Sequence, residues 1–271
     1  MCSSDLIEAG TLDQRIVAHA DTDEYRGLVA VLNRMLGRID AAFKNQRRLT
    51  ADVSHELRSP LTALRGEIEV ALRLERSSRD YQRVLHSALE EIDRLTAMSD
   101  DLLLITRADA GLVAAHPAPT DVNALVRGTL DAMRGRIEDR GLTVHTALDP
   151  ELGPVALDPA LTRRLIGELL DNAVKFAPSG GTVGVATTAT GRALRLAVEN
   201  SGSPLATDAM AHLFEPLYRA DQARTRGTGL GLAFAAAVTR LHGGSIRAVN
   251  LASGVRLECE LFGATDARHA A

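Results

Sequence analysis

The sequence has little aromatic character and no long apolar run. It contains no tryptophan, and aromatic residues make up only 3% of its 271 positions. This argues against a base-stacking platform for single-stranded nucleic acid. The net charge of −4 offers no electrostatic attraction to DNA or to a membrane surface. No segment approaches the roughly 18–20 apolar residues that a membrane-spanning helix needs. We therefore expect no nucleic-acid partner and a cytoplasmic location for the chain as written.

Cysteine is also scarce. Cys2 and Cys259 stand far apart and form no pair spaced for metal binding or redox exchange. This favours a reduced cytosolic setting. The hydrophobic content of 45% is enough for buried cores, and the length leaves room for about two domains.

The first half of the chain carries apolar stripes at helical spacing. Between about 25 and 74, and again between about 85 and 105, apolar residues recur at steps of three and four. The polar segment at 75–80 separates the stripes and predicts the turn of a helical hairpin. Two helices alone cannot enclose such stripes, so we expect a homodimer that forms a four-helix bundle.

The second half has a mixed pattern that begins after a proline-containing linker at 111–120. The predicted strands are 142–148, 182–188, 192–198, 245–250 and 255–261. The predicted helices are 121–140, 159–176 and 229–242. Together these elements predict an α/β sandwich, in which helices cover one face of a sheet.

His55 lies on the first predicted helix, within ADVSHELRSPLTALR at 51–65. It is turned about 200° from Val53, a residue of the apolar stripe, so it should face outward. Pro60 cannot donate a hydrogen bond to the Glu56 carbonyl, which predicts a bend or loosening of the helix. Glu56 can orient the imidazole and accept its proton, which makes His55 a candidate nucleophile. Taken alone, an exposed histidine is most often only a surface residue.

Polar side chains line one face of the predicted helix at 159–176. Glu168 and Asn172 are four residues apart, and Lys175 follows three residues later. Oxygen donors followed by a lysine suit a magnesium ion and its attached phosphates. In isolation, an ordinary amphipathic helix with a charged surface explains the same string equally well.

Two glycine-containing segments follow. VENSGSPL at 198–205 begins at the end of a predicted strand, and GTGLGL at 227–232 leads into a predicted helix. Glycines let backbone N–H groups approach phosphates, and a helix N-terminus attracts anions. GTGLGL lacks the Gly-Lys-Ser/Thr of a P-loop and the compact strand–turn–helix unit of dinucleotide binding, so alone it is weak evidence.

In order and spacing, these segments resemble the motifs of the sensor histidine kinases. SHELRSPLTAL resembles their histidine box, LIGELLDNAVKFAP their N box and GTGLGL their glycine loop, while LFEPLYR at 213–219 resembles their phenylalanine-bearing box. The resemblance covers residues 50–262. It implies a helical-hairpin dimerisation and phosphoacceptor domain, a four-helix bundle as a dimer, followed by an α/β-sandwich ATP-binding domain.

The resemblance also implies roles for single residues. His55 would carry the phosphoryl group and Glu56 would assist its transfer. Ser59 stands where a threonine or asparagine commonly positions water for dephosphorylation of the partner, and a serine hydroxyl can still bond a water. Phosphatase activity is therefore an open expectation. Asn172 and Glu168 would hold Mg²⁺. The other implied ATP-binding positions are Lys175, Phe176, Asn200, Gly202, Arg219, Gly227, Thr228, Gly229, Leu230, Gly231 and Leu232.

The sequence departs from the family pattern near the adenine site. Asn200 replaces an aspartate that accepts a hydrogen bond from the adenine amino group, and Pro204 replaces a second glycine. The asparagine oxygen can accept the same bond without charge assistance. Asparagine here is familiar in the branch that resembles heavy-metal sensors. The implied cofactors remain ATP and Mg²⁺.

The implied activity is ATP-dependent autophosphorylation of His55 and transfer to an aspartate on a response-regulator receiver domain. A longer parent protein would be anchored in the bacterial inner membrane. Two alternatives stay open: a conformational ATPase of the same superfamily, and a non-catalytic dimeric scaffold. The implied boundaries are a partial HAMP-like signalling helix and connector at 1–48, the phosphoacceptor domain at 49–110, the linker at 111–120, the ATP-binding domain at 121–263 and a tail at 264–271.

Overall fold

The computed structural model describes residues 23–73, 75, 77–190, 193–219 and 228–263. The chain divides into two compact units, with the boundary after Val84. The predicted tail, Gly227 and the first 22 residues of the predicted HAMP-like segment lie outside the described residues. No helix within the described ranges is both long and apolar enough to cross a membrane.

A single long helix dominates the first unit. Helix α1 runs over Asp23–Arg73, close to the predicted 25–74. It is helical on both sides of Pro60, so the expected loosening does not interrupt the element. Apolar side chains of the predicted stripe remain exposed in the single chain, with Leu61 at 51% and Leu72 at 75%. The stripe is therefore not enclosed by this chain's own described residues.

Helix α2 runs over Ser78–Asp109 and continues into the second unit from Leu85 onward. The predicted turn covered 75–80, but the helix already begins at Ser78 because Ser77 caps it. The Ser77 hydroxyl accepts the Asp80 N–H at 3.2 Å and donates to the Asp80 carboxylate at 2.6 Å. A serine hydroxyl that accepts an N–H of the first turn is a common way to begin a helix.

The second unit is built on a five-stranded sheet of order β2-β4-β5-β7-β6. Only β2 and β4 run parallel, and the other neighbours are antiparallel. All five strands were predicted. The alternation is clearest in β5, where the inward side chains Leu194 and Leu196 are buried. The strands are β2 Thr143–Leu148, β4 Thr182–Thr190, β5 Ala193–Ser201, β6 Ser245–Leu251 and β7 Gly254–Phe262.

Helices cover one face of this sheet. The other face carries ion pairs, such as Arg195–Glu260 between neighbouring strands. Leu165, Leu169 and Phe234 supply fully buried side chains between the helices and the sheet. This arrangement confirms the predicted α/β sandwich. The helices of the layer are α3 Val122–Ala132, α4 Arg134–Asp139, α5 Pro159–Phe176 and α7 Gly231–Leu241.

Three short elements were not predicted. Strand β1 (Ala118–Thr120) pairs antiparallel with β3 (Val155–Leu157), and α6 spans Thr207–His212. A three-residue strand is too short to show a period. Because β1 lies in the segment interpreted as a linker at 111–120, the last part of that segment is built into the second unit. The predicted helix at 121–140 is also divided, at Met133, into α3 and α4.

Candidate active site

His55 lies on the exposed side of α1, as predicted. Glu56 beside it is half-buried, and Ser59, one helical turn later, is exposed. The Ser54 hydroxyl donates to the Thr50 carbonyl at 2.8 Å, an intrahelical bond of the kind that short polar side chains make. The imidazole is thus presented on a continuous helix, open to a reagent that arrives from solvent.

The start of α5 is fixed by Asp158, which caps the helix. Its carboxylate accepts the N–H groups of Ala160 and Leu161, each at 3.1 Å, and that of His116 at 3.0 Å. Burial alone would raise the pKa of Asp158, but these three donors and nearby His242 hold it below its ordinary value. Asp158 therefore acts as a charged anchor that sets where the polar face of α5 begins.

Glu168, Asn172 and Lys175 share one half-buried face of α5, as their spacing predicted. Burial raises the pKa of Glu168, against the opposing effect of Arg164. Burial also lowers the pKa of Lys175, and Arg219 acts in the same direction. The carboxylate of Asp171 opposes these two effects on Lys175. Lys175 therefore lies among charges of both signs at the end of α5, and a phosphate there would favour its charged form.

Phe176 ends α5 and is 46% exposed. The ammonium nitrogen of Lys175 lies 5.3 Å from the centroid of its ring, within range of a cation–π contact. Phe176 thus helps to hold the lysine at the end of the helix. A role for this ring against a nucleotide remains a prediction.

Asn200 lies near the end of β5 with its amide oriented by the backbone. Its Nδ2 donates to the Ser201 carbonyl at 2.9 Å, so Oδ1 is the amide atom that accepts. The Gly202 N–H donates to the Ser253 carbonyl at 3.0 Å, and its φ of +145° favours glycine. A Cβ at Gly254 would lie 2.0 Å from the Asn200 carbonyl oxygen. Gly254 therefore permits the close pairing of β5 and β7 at Asn200.

The described part of the glycine loop is held by the segment that precedes it. The Leu217 N–H donates to the Gly229 carbonyl at 2.9 Å, and both residues have positive φ, +65° and +69°. A Cβ at Gly229 would lie 2.8 Å from the Leu217 carbonyl carbon. The Thr228 hydroxyl accepts the Leu230 N–H at 3.4 Å, and Leu230 is fully buried. No sequence signal identified Leu217, because leucine rarely adopts this conformation.

Helix α7 begins at Gly231, directly against Glu168. A Cβ at Gly231 would lie 2.2 Å from a Glu168 carboxylate oxygen, so a larger residue there would displace the end of the Glu168 side chain from this position. The half-buried Leu232 follows in the first turn of the helix. The fold thus brings the polar face of α5 and the glycine loop together, with Glu168 at the positive end of α7.

The residues present fit a magnesium ion that is shared with phosphate. Within the described ranges, no cluster of three or more His, Cys, Asp or Glu side chains could hold a metal. Mg²⁺ rarely needs one, since it keeps several waters and binds through one or two protein oxygens plus substrate phosphates. Glu168 and Asn172 offer two oxygen donors on one helical face, and the space at Gly231 accommodates the carboxylate.

The chain matches two families. Residues 45–111 match the His Kinase A (phospho-acceptor) domain, and residues 157–263 match the histidine kinase-, DNA gyrase B-, and HSP90-like ATPase. The sensor histidine kinase CusS of Escherichia coli K12 is 32% identical over 253 residues, which cover 92% of this chain and 52% of CusS. The chain spans about half the length of the curated relatives it matches.

Solved histidine kinases share the fold. Full-length ShkA in complex with AMPPNP has a TM-score of 0.61 and 26% identity, over 80% of this chain and 46% of ShkA. ThkA in complex with the response regulator TrrA has a TM-score of 0.62 and 21% identity, over 84% of this chain and 66% of that chain. The chain belongs to the sensor histidine kinases, with relatives in their heavy-metal-sensor branch, and carries their phosphoacceptor domain followed by their ATPase-type nucleotide domain.

Proposed function

We propose that this chain phosphorylates its own His55 with ATP and passes the phosphoryl group to an aspartate on a response-regulator receiver domain. The observation that carries the proposal is the exposed His55 beside Glu56 in a chain whose second unit gathers Glu168 and the glycine loop. The receiver domain is proposed because the fold is similar to that of ThkA, which was solved with a response regulator.

In this proposal, the adenine end of the nucleotide meets an amide side chain, and the phosphate end meets cationic side chains and backbone N–H groups. Asn200 Oδ1 accepts a hydrogen bond from the adenine amino group, above the backbone turn at Gly202. Lys175 and Arg219 neutralise phosphate oxygens, and the backbone of 228–232, the described part of the glycine loop, offers N–H groups at the start of α7. Glu168 and Asn172 hold magnesium, which supplies charge neutralisation at the phosphates when bound.

The transfer step needs little more than position and charge. An imidazole nitrogen of His55 forms a bond to the γ-phosphorus as the bond from that phosphorus to the bridging oxygen breaks. The electron pair of the broken bond leaves with ADP. Glu56 takes the proton that the imidazole loses. In the reverse role, the Ser59 hydroxyl orients a water for dephosphorylation of the regulator, so a secondary phosphatase activity forms part of the proposal.

The assembly proposed is a homodimer in which a second copy covers the apolar stripe of α1. Leu61 and Leu72 are more than half exposed in the single chain, which supports a second surface there. We also propose that the parent protein is anchored in the bacterial inner membrane, with this part in the cytoplasm. The HAMP-like assignment of 1–48 and the boundaries at 49–110, 111–120 and 121–263 are proposed on the same resemblance.

Labelling with ATP that carries a radioactive γ-phosphate tests the proposal. The wild-type chain should acquire label that is lost in acid and stable in base, as a phosphoramidate is. His55→Gln should abolish this label. His86, an exposed histidine on α2, provides a matched control, and His86→Gln should be labelled like wild type. Label that persists in His55→Gln would overturn the assignment.

Asn172→Asp tests the nucleotide site in the same assay. The substitution adds a negative charge beside the phosphates and changes the oxygen donor set. It should abolish labelling while the helical circular dichroism and the dimer mass stay unchanged. If Asn172→Asp were labelled as fully as wild type, the proposed magnesium role of Asn172 would be wrong.

A further inference from the structure

Arg164 lies on α5 one turn before Glu168, and its guanidinium lies near one aromatic ring and two carboxylates. Its guanidinium carbon lies 4.1 Å from the ring centroid of Phe234 on α7. Its Nη2 is bonded to the carboxylate of Asp101 on α2. Its Nε lies 3.8 Å from a Glu168 carboxylate oxygen. One cation is therefore shared between a carboxylate of α2 and a carboxylate of the nucleotide site.

Asp101 and Glu168 compete for the Arg164 guanidinium, and the geometry favours Asp101. Asp101 is only 7% exposed, whereas neighbouring Asp100 is exposed. A buried carboxylate is costly unless it is paired, so Asp101 holds the guanidinium firmly. Phe234 is fully buried, and the cation–π contact of its ring with the guanidinium helps to hold that group in place. Glu168 is left with only the more distant Nε.

A second ion pair connects α2 to the same helical layer. Arg240 on α7 bonds Asp109, two turns beyond Asp101 on α2, at 2.6 Å. Both side chains are about half exposed, so this pair adds little free energy of its own. It nonetheless shows that α2 contacts both helices that line the nucleotide site.

We propose that Asp101 is a positioning residue for the nucleotide site, which holds the Arg164 guanidinium away from Glu168 and so leaves that carboxylate available to magnesium. The proposal rests on the proposed function, because the magnesium role of Glu168 belongs to it. Without the Asp101 charge, the guanidinium turns to Glu168 and forms a charge-assisted pair. Magnesium must then displace that pair before it binds. A shift of α2 relative to α5 would change magnesium affinity in the same way.

A plain electrostatic effect must be separated from this mechanism. The Asp101 carboxylate could attract Mg²⁺ simply through its charge, without any part played by Arg164. That effect would persist when Arg164 is replaced, whereas the positioning effect would vanish. Asp100→Asn provides a matched control, because it removes the same charge at the adjacent, exposed position.

The test is a magnesium titration of nucleotide binding by the full chain. A fluorescent ATP analogue reports binding, and a His55→Gln background prevents turnover. Asp101→Asn should raise the Mg²⁺ concentration for half-maximal binding by about fivefold or more, the lower end of typical coupling between sites. Asp100→Asn should stay within about twofold of the background, since an exposed charge contributes little. Equal shifts in the two variants, or no shift in Asp101→Asn, would overturn the proposal.

Replacement of Arg164 completes the test. In an Arg164→Gln background, Asp101→Asn should cause no further shift, and a persistent shift would overturn the positioning role. Arg164→Met, whose flexible thioether still packs on Phe234, provides a second background if the glutamine variant does not fold. Glu168→Gln separates the two levels of the proposal. If it leaves the magnesium dependence unchanged, the magnesium role of Glu168 is wrong and the positioning role falls with it. If it weakens that dependence while Asp101→Asn does not, only the positioning role is overturned.

Discussion

The helix that bears the histidine and the domain that bears the nucleotide site present opposite kinds of surface. Helix α1 exposes His55 and a stripe of apolar side chains, and one of its ion pairs, Arg65–Glu69, joins residues a single turn apart. In the second unit, Asp158 joins α5 to His116 and His242, which lie far from it in sequence. A nucleophile must be reachable by a moving donor, whereas a nucleotide site must hold backbone groups in place before the ligand arrives. Loss of a side-chain contact within α1 should therefore cost less free energy of unfolding than loss of a contact between distant segments of the second unit.

Among the substitutions that test this difference between the two regions, Gly254→Ala should reduce the free energy of unfolding most. The added Cβ would lie 2.0 Å from the Asn200 carbonyl oxygen, so β5 and β7 must separate at the proposed adenine site. We expect a loss of about 3 kcal/mol in the free energy of unfolding, at the upper end of ordinary overpacking, and weaker nucleotide binding. Thermal denaturation and binding of an ATP analogue measure the two effects.

Gly128→Ala is the matched control for that change. Gly128 lies on α3, and a Cβ there would meet no described atom within 4 Å. The substitution should stabilise the helix by up to about 1 kcal/mol through propensity alone. If both alanine variants behaved alike, close strand approach at Gly254 would not matter for the site.

Asp158→Ala should have an intermediate effect that depends on pH. It removes the cap of α5 and should cost about 1–2 kcal/mol at neutral pH. The folded pKa of Asp158 lies below its ordinary value of 3.8, so the stabilisation is present above that value. It is lost as pH falls through the folded pKa. Denaturant unfolding should therefore show wild type and variant converging in acid.

Asp121→Ala is the control for capping. Asp121 caps α3 through one exposed bond, from the Ala124 N–H at 2.9 Å. Its loss should cost about 0.5–1 kcal/mol, toward the lower end of the range for capping residues. A stability difference for Asp158→Ala that does not change between neutral and acid pH would contradict the charged-anchor role.

Arg65→Ala on α1 should have the smallest effect. The Arg65–Glu69 pair is 2.7 Å long, but the arginine side chain is 80% exposed. Its loss should cost less than about 0.5 kcal/mol and leave histidine labelling intact. A loss above about 1 kcal/mol by thermal denaturation would show that α1 depends on this pair far more than exposed pairs usually allow.

The sequence predicts repeating features and misses features that depend on distant contacts. The long helix around His55 and the alternating burial of β5 have a period, so their residues alone reveal them. The ion pair between Arg164 and Asp101 joins positions 63 residues apart, so no local sequence pattern predicts it. The positive φ of Leu217 likewise depends on its bond to Gly229. The glycine requirement at Gly254 arises only when β7 pairs with β5.

The fate of the γ-phosphate in His55→Gln tests most directly whether nucleotide binding and phosphoryl acceptance belong to separate regions. The variant should bind an ATP analogue with wild-type affinity, because the second unit is unchanged. It should form no phosphoprotein and release no free phosphate above the uncatalysed background. Release of free phosphate at the rate at which wild type forms ADP would contradict this, because ATP would then be hydrolysed without His55.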